Sequence, residues 1–185
     1  MRNFVLFILL AVGIFLSFAL QELIPPIHGF LGARVLIFPA LLCLGALALP
    51  FPAALALGAF TGFAADLAYL HIVDGSVEIG LGWSIVFFVI FTIFAHGFEP
   101  SYRRGHWWLL IPLSGLCIAV YLTLQFVMIS FRREGFFFSE VVVWRIIGSG
   151  LITALLSSLV AIFGWQFNHF FPSRRQLETA SWNEP

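Results

Sequence analysis

The chain contains no lysine. All nine of its basic residues are arginine, nine acids balance them, and only 10% of its 185 residues are charged, against about a quarter in soluble domains. That sparse charge forms no basic patch of the kind that binds nucleic acid. Cysteine is scarce too. Cys43 and Cys117 lie far apart in apolar runs, without CxxC spacing or a neighbouring histidine; they read as small packed or lipid-facing residues and say little about redox compartment. No GxSxG, HExxH or phosphate-cradling Walker loop occurs, nor the paired DDxxD acids of a membrane prenyl or lipid enzyme. These absences argue against a metal or nucleophile enzyme, and no metal or other cofactor is implied. Also missing are the ten-residue alternations of a β-barrel and any linker, repeat or low-complexity stretch.

What is abundant is apolar surface. Hydrophobic residues make up 61% of the chain and the mean hydropathy is +1.03, which places the chain in the lipid bilayer. Arg2, the following apolar run and Ser17-Phe18-Ala19 imitate a cleavable signal peptide. The run nevertheless continues to Leu20, long enough for the ~20 residues of a span, and a retained first helix is expected. Six apolar segments follow one another at residues 4–24, 35–49, 52–72, 80–97, 107–131 and 141–170. The second is short for a full span. Since lipid leaves backbone groups no outside partner, helices are the open-chain solution. The expected fold is therefore an all-α polytopic bundle of about six transmembrane helices: one domain over residues 1–172 and a short polar tail over 173–185.

The breaks have chemical causes. Pro25-Pro26 cannot continue the first helix, Pro50-Phe51-Pro52 makes a tight turn with Pro52 expected to open the third helix, and residues 73–79 form an acidic loop. Arg2, Arg103, Arg104, Arg174 and Arg175 fall on one side, against Arg34, Arg132 and Arg133 on the other. This modest bias predicts both termini in the cytoplasm. Trp107-Trp108 and Trp165 suit the inner interface.

Asp66 is the one acid inside a helix-length apolar stretch, and it closes a row, Ala54, Gly58, Gly62 and Asp66, at four-residue intervals. On a helix these residues share one face, which another helix can approach closely. A charge in the hydrocarbon costs roughly 2.5–3.5 kcal/mol on insertion scales, so Asp66 demands a partner. The last segment carries a second row, Arg145, Ser149, Thr153, Ser157 and Ala161. Counted from the outer ends of their helices, Asp66 and Arg145 each lie at a depth of about 9 Å, and an intramembrane ion pair between them is expected. The alternative has Arg145 snorkelling past Trp144 and Asp66 hydrogen-bonded to backbone or water.

The five histidines form no ligand set; His71 and Asp74, three apart, lack further ligands, and His96 and His106 flank the inner loop. In the loop before the last helix, Arg132 and Arg133 precede the triplet Phe136, Phe137 and Phe138. That run reads either as a partner-contact loop or as the point where the chain re-enters lipid.

The run Gly58-Ala59-Phe60-Thr61-Gly62-Phe63-Ala64-Ala65-Asp66-Leu67, preceded by a helix ending Ala48-Leu49-Pro50 and followed by Gly82, resembles the rod shape-determining MreD family of bacterial inner-membrane proteins. Ser130-Phe131-Arg132 with Glu134 is a weaker match. Arg145 matches no position of the family pattern. The resemblance implies a non-enzymatic subunit of the elongation machinery in the inner membrane. It would bind a single-span MreC-like scaffold and through it the actin-like filament and the peptidoglycan synthases, and so help set cell shape. The runner-up is the substrate-binding component of an ECF-type vitamin transporter, which is distantly similar in layout. There, Asp66, Arg145 and the acidic loop would contact the ligand.

Overall fold

The computed structural model describes residues 2–23, 35–69, 72–73, 76–77, 82–132 and 140–170. Seven α-helices make up nearly all of it: α1 (Arg2–Leu23), α2 (Phe38–Ala48), α3 (Phe51–Ala68), α4 (Trp83–His96), α5 (Glu99–Arg103), α6 (Leu110–Arg132) and α7 (Glu140–Phe170). Inside the segment expected as an acidic loop, β1 (Ile72–Val73) pairs antiparallel with β2 (Ser76–Val77). A 3₁₀ turn over Trp107–Leu109 leads into α6.

Among the described residues, four helices are long and apolar enough to cross a membrane, over Asn3–Gln21, Phe51–Ala68, Trp107–Phe131 and Val142–Ile162; the chain is a multi-pass membrane protein. The other two apolar helices are short. With 11 residues in α2 and 14 in α4, they measure about 16 and 21 Å at 1.5 Å per residue, against ~30 Å of hydrocarbon. The second segment therefore forms a helix that does not span by itself. Proline shapes its far end: Leu49 and Pro50 are extended, α3 starts at Phe51, and Pro52 occupies its second position rather than its first.

α2 forms the centre of the bundle, packing on α1, α3, α4, α6 and α7. Its interior is apolar, with Phe38, Leu42, Cys43, Ala46 and Leu47 fully buried. Aromatic rings carry the contacts outward from α2. Phe38 stacks on Phe18 of α1 with centroids 4.6 Å apart and meets Phe88 of α4 edge-on at 5.6 Å. Phe88 in turn lies 4.9 Å from Tyr121 of α6.

The two most extensive helix contacts are α3 on α4 and α6 on α7, and each depends on missing side chains. A Cβ at Gly62 would come within 2.3 Å of the Ile85 Cα, and one at Gly58 within 2.5 Å of the Thr92 hydroxyl. A Cβ at Gly115 would lie 3.1 Å from the Gly150 carbonyl across the α6–α7 contact. The third-helix row thus packs on α4. The last-helix row packs elsewhere: Ser149, Thr153 and Ser157 are buried where α7 meets α6 and α2, and Thr153 donates to the Leu36 carbonyl beside α2 at 3.2 Å.

Candidate functional site

Two short helices in a lipid-spanning bundle create a specific problem. A helix leaves its first N–H and last C=O groups without intrahelical partners, and one that ends within the hydrocarbon cannot give them to water. Neighbouring side chains supply what is missing here.

At the start of α4, the partner is Asp66. Its Oδ2 accepts from the Gly82 N–H at 2.7 Å and its Oδ1 from the Ser84 N–H at 3.3 Å. This is an N-cap delivered from another helix: a carboxylate satisfies two orphan donors and sits against the positive end of the α4 dipole. Gly82 makes the geometry accessible, since its φ of 101° lies in the left-handed region that glycine enters without a Cβ penalty. The close approach of Gly62 to Ile85 brings the end of α3 within reach.

A polar chain continues from the cap. The Ser84 hydroxyl lies 2.9 Å from the Tyr121 hydroxyl, which accepts from Gln125 Nε2 at 2.8 Å. Asp66, Ser84, Tyr121 and Gln125 therefore join α3, α4 and α6 through hydrogen bonds. Just past the end of α3, the Tyr69 hydroxyl donates to Gln21 Oε1 of α1 at 3.1 Å. Two buried donors, Gln21 Nε2 and Trp83 Nε1, have no hydrogen-bond partner among the described residues.

At the other end of the bundle, His96 serves α2. Its Nδ1 is 2.7 Å from the carbonyl oxygen of Ala46, in the last turn of α2. Its Nε2 faces Glu99 Oε2 at 2.9 Å, and Glu99 Oε1 accepts from Arg103 Nε of α5. Tyr102, on the same short helix, has its phenol pushed above the usual tyrosine range by burial.

The expected pair of Asp66 and Arg145 is not formed. Asp66 holds backbone N–H groups of α4, whereas Arg145 is exposed next to the exposed Trp144, and among the described residues no ion pair joins them. The alternative of a carboxylate bonded to backbone is the arrangement found. The reason is geometric: α3 lays its polar face against α4, while α7 packs on α6 and α2. Ala54, Gly58, Gly62 and Asp66 do lie along the side of α3 that meets α4, with the first three buried. Arg132 ends α6; Arg133, Phe136, Phe137 and Phe138, proposed as a partner-contact loop, lie outside the described residues, as do His71 and Asp74.

Sequence reasoning missed the role of His96. The available signal was its position one residue before Gly97 and three before Glu99, but its main acceptor is a carbonyl fifty residues away. Among the described residues, no group of three or more His, Cys, Asp or Glu could hold a metal ion. In comparisons with known proteins, the chain matches no family model, no curated protein and no solved structure.

Proposed function

We propose that this multi-pass membrane protein is a non-enzymatic assembly subunit. More specifically, we propose an MreD-like component of the bacterial elongation machinery in the inner membrane. It binds a single-span MreC-like scaffold and, through that partner, helps position peptidoglycan synthases and the actin-like filament. The observation that carries this reading is the Gly58, Gly62 and Asp66-Leu67 succession that resembles the family, together with how those residues are used. Both glycines and Asp66 fix α4 against α3, which gives them a structural role suited to a rigid docking body in lipid.

Affinity purification of the tagged full chain from its own membranes, combined with depletion, tests the proposal. Co-purification of a single-span coiled-coil protein and rounding of depleted cells are expected. Unchanged cell shape on depletion would overturn it.

A second reading has one observation in its favour. The buried donors Gln21 Nε2 and Trp83 Nε1, unpartnered among the described residues, flank the Asp66 and Tyr69 end of the bundle, and buried N–H groups usually have partners. A vitamin-binding transporter component would use such donors. Tight retention of a small vitamin by the isolated chain, with an ATPase as co-purifying partner, would favour this reading over the first.

A further inference from the structure

His96 is placed to sense its own protonation. An imidazole has two ring nitrogens, and the neutral form carries a proton on only one of them. Here each nitrogen faces an oxygen that can only accept: the Ala46 carbonyl at 2.7 Å from Nδ1 and a Glu99 carboxylate oxygen at 2.9 Å from Nε2. Both hydrogen bonds exist together only in the imidazolium. When Nδ1 keeps its proton for Ala46, a neutral ring turns a bare lone pair towards the carboxylate. The surroundings reinforce the asymmetry, because Ala46 belongs to the last turn of α2, where the helix dipole favours a cation.

The groups that face His96 are few. From α2 there is the Ala46 carbonyl; from α3, the Phe51 ring, with centroids 5.3 Å apart; from α5, Glu99, which also binds Arg103. Among the described residues, the other titratable groups of this region are Arg104 and His106, both exposed, with His106 Nδ1 3.2 Å from the Ser101 carbonyl, and Tyr102, whose burial keeps its phenol protonated through the neutral range.

We propose that His96 is a proton-dependent latch that holds the α4–α5 connection against the end of α2. The latch is closed when the ring is protonated. Loss of the proton retains the bond to Ala46 and releases Glu99, with its partner Arg103, so that α5 loosens while the helices in the bilayer stay in place. The direction follows from the contacts: the charged ring gains two acceptors, so the latch weakens as pH rises through the titration of the ring. Free imidazole exchanges its proton within the pH ~5–8 interval, which sets the range over which the latch is tested. The latch is independent of the scaffold and transporter readings.

Hydrogen–deuterium exchange of the full chain in lipid nanodiscs, corrected for the intrinsic pH dependence of amide exchange, tests the latch. In the wild type, protection at residues 99–104 should fall by about tenfold between pH 5.5 and 8, the factor that an ordinary charge-assisted hydrogen bond supplies. In His96→Gln, protection there should be independent of pH, because the amide donates without titrating. Should His96→Gln fail to fold, Glu99→Gln provides the same comparison and should also flatten the profile. Protection in the wild type that is flat with pH would overturn the latch. So would a pH-dependent profile that survives in His96→Gln or in Glu99→Gln, which would assign the effect to His106 or another group.

Discussion

A carboxylate between apolar helices must be matched by donors, and at Asp66 the donors are two peptide N–H groups rather than an arginine. Leaving a buried donor unmade costs about 1–3 kcal/mol, so Asp66→Leu, which strands the N–H groups of both Gly82 and Ser84, should destabilise by ~2–5 kcal/mol. Asp66→Asn keeps one acceptor oxygen and should cost about 1–2 kcal/mol, the scale of a lost cap and its dipole interaction. Arg145→Gln, at an exposed position, should stay within ~0.5 kcal/mol. Unfolding of the purified protein in mixed micelles of rising SDS content measures all three. The double variant Asp66→Asn with Arg145→Gln should be additive; a coupling beyond ~0.5 kcal/mol would restore the ion pair. Tyr121→Phe removes the hydroxyl that links Ser84 to Gln125 and should cost about 1–2 kcal/mol in the same measurement.

At the scale of the element, the contact of α3 with α4 depends on backbone proximity. A methyl group at Gly62 would collide with main-chain atoms of Ile85, which cannot rotate aside as a side chain can. Gly62→Ala should therefore force the helices apart, withdraw Asp66 from its donors and cost more than ~3 kcal/mol, the range of overpacked sites at its upper end. Gly13→Ala meets only the tip of Leu41 at 3.4 Å and should be tolerated. Gly82→Ala has open space around it but a φ of 101°, so backbone strain alone should cost about 1–2 kcal/mol. Thermal inactivation followed by size-exclusion chromatography ranks the three; an innocuous Gly62→Ala would refute the close crossing. Six helical segments were legible in the sequence because their apolar runs and proline breaks are local. The shortness of α2 was legible in its brief apolar segment; the failure of α4 to reach a full span was not, since the apolar composition of residues 97–98 resembles that of the helix they adjoin.

For the molecule as a whole, the sequence-based orientation makes a clean labelling prediction. Cys43 and Cys117 are fully buried, so the wild type should be silent to a membrane-impermeant maleimide. Arg104→Cys, exposed in the connection that shares its end of the bundle with the start of α1, should label in inside-out vesicles and not in intact cells. Labelling from outside would invert the predicted topology.

The sequence by itself determined that the chain lives in lipid, that it is built from helices with breaks at the prolines, and that Asp66 needs a partner, because hydropathy, proline chemistry and the cost of a buried charge are properties of residues. Only the tertiary structure decided what that partner is. Every residue except proline carries a backbone N–H, so no letter of the sequence marks the ones left without a mate; that depends on where a helix begins in space. Asp66 finds Gly82 and Ser84, and His96 finds Ala46, because α2 and α4 end short of the full thickness and their neighbours lie close enough to complete them.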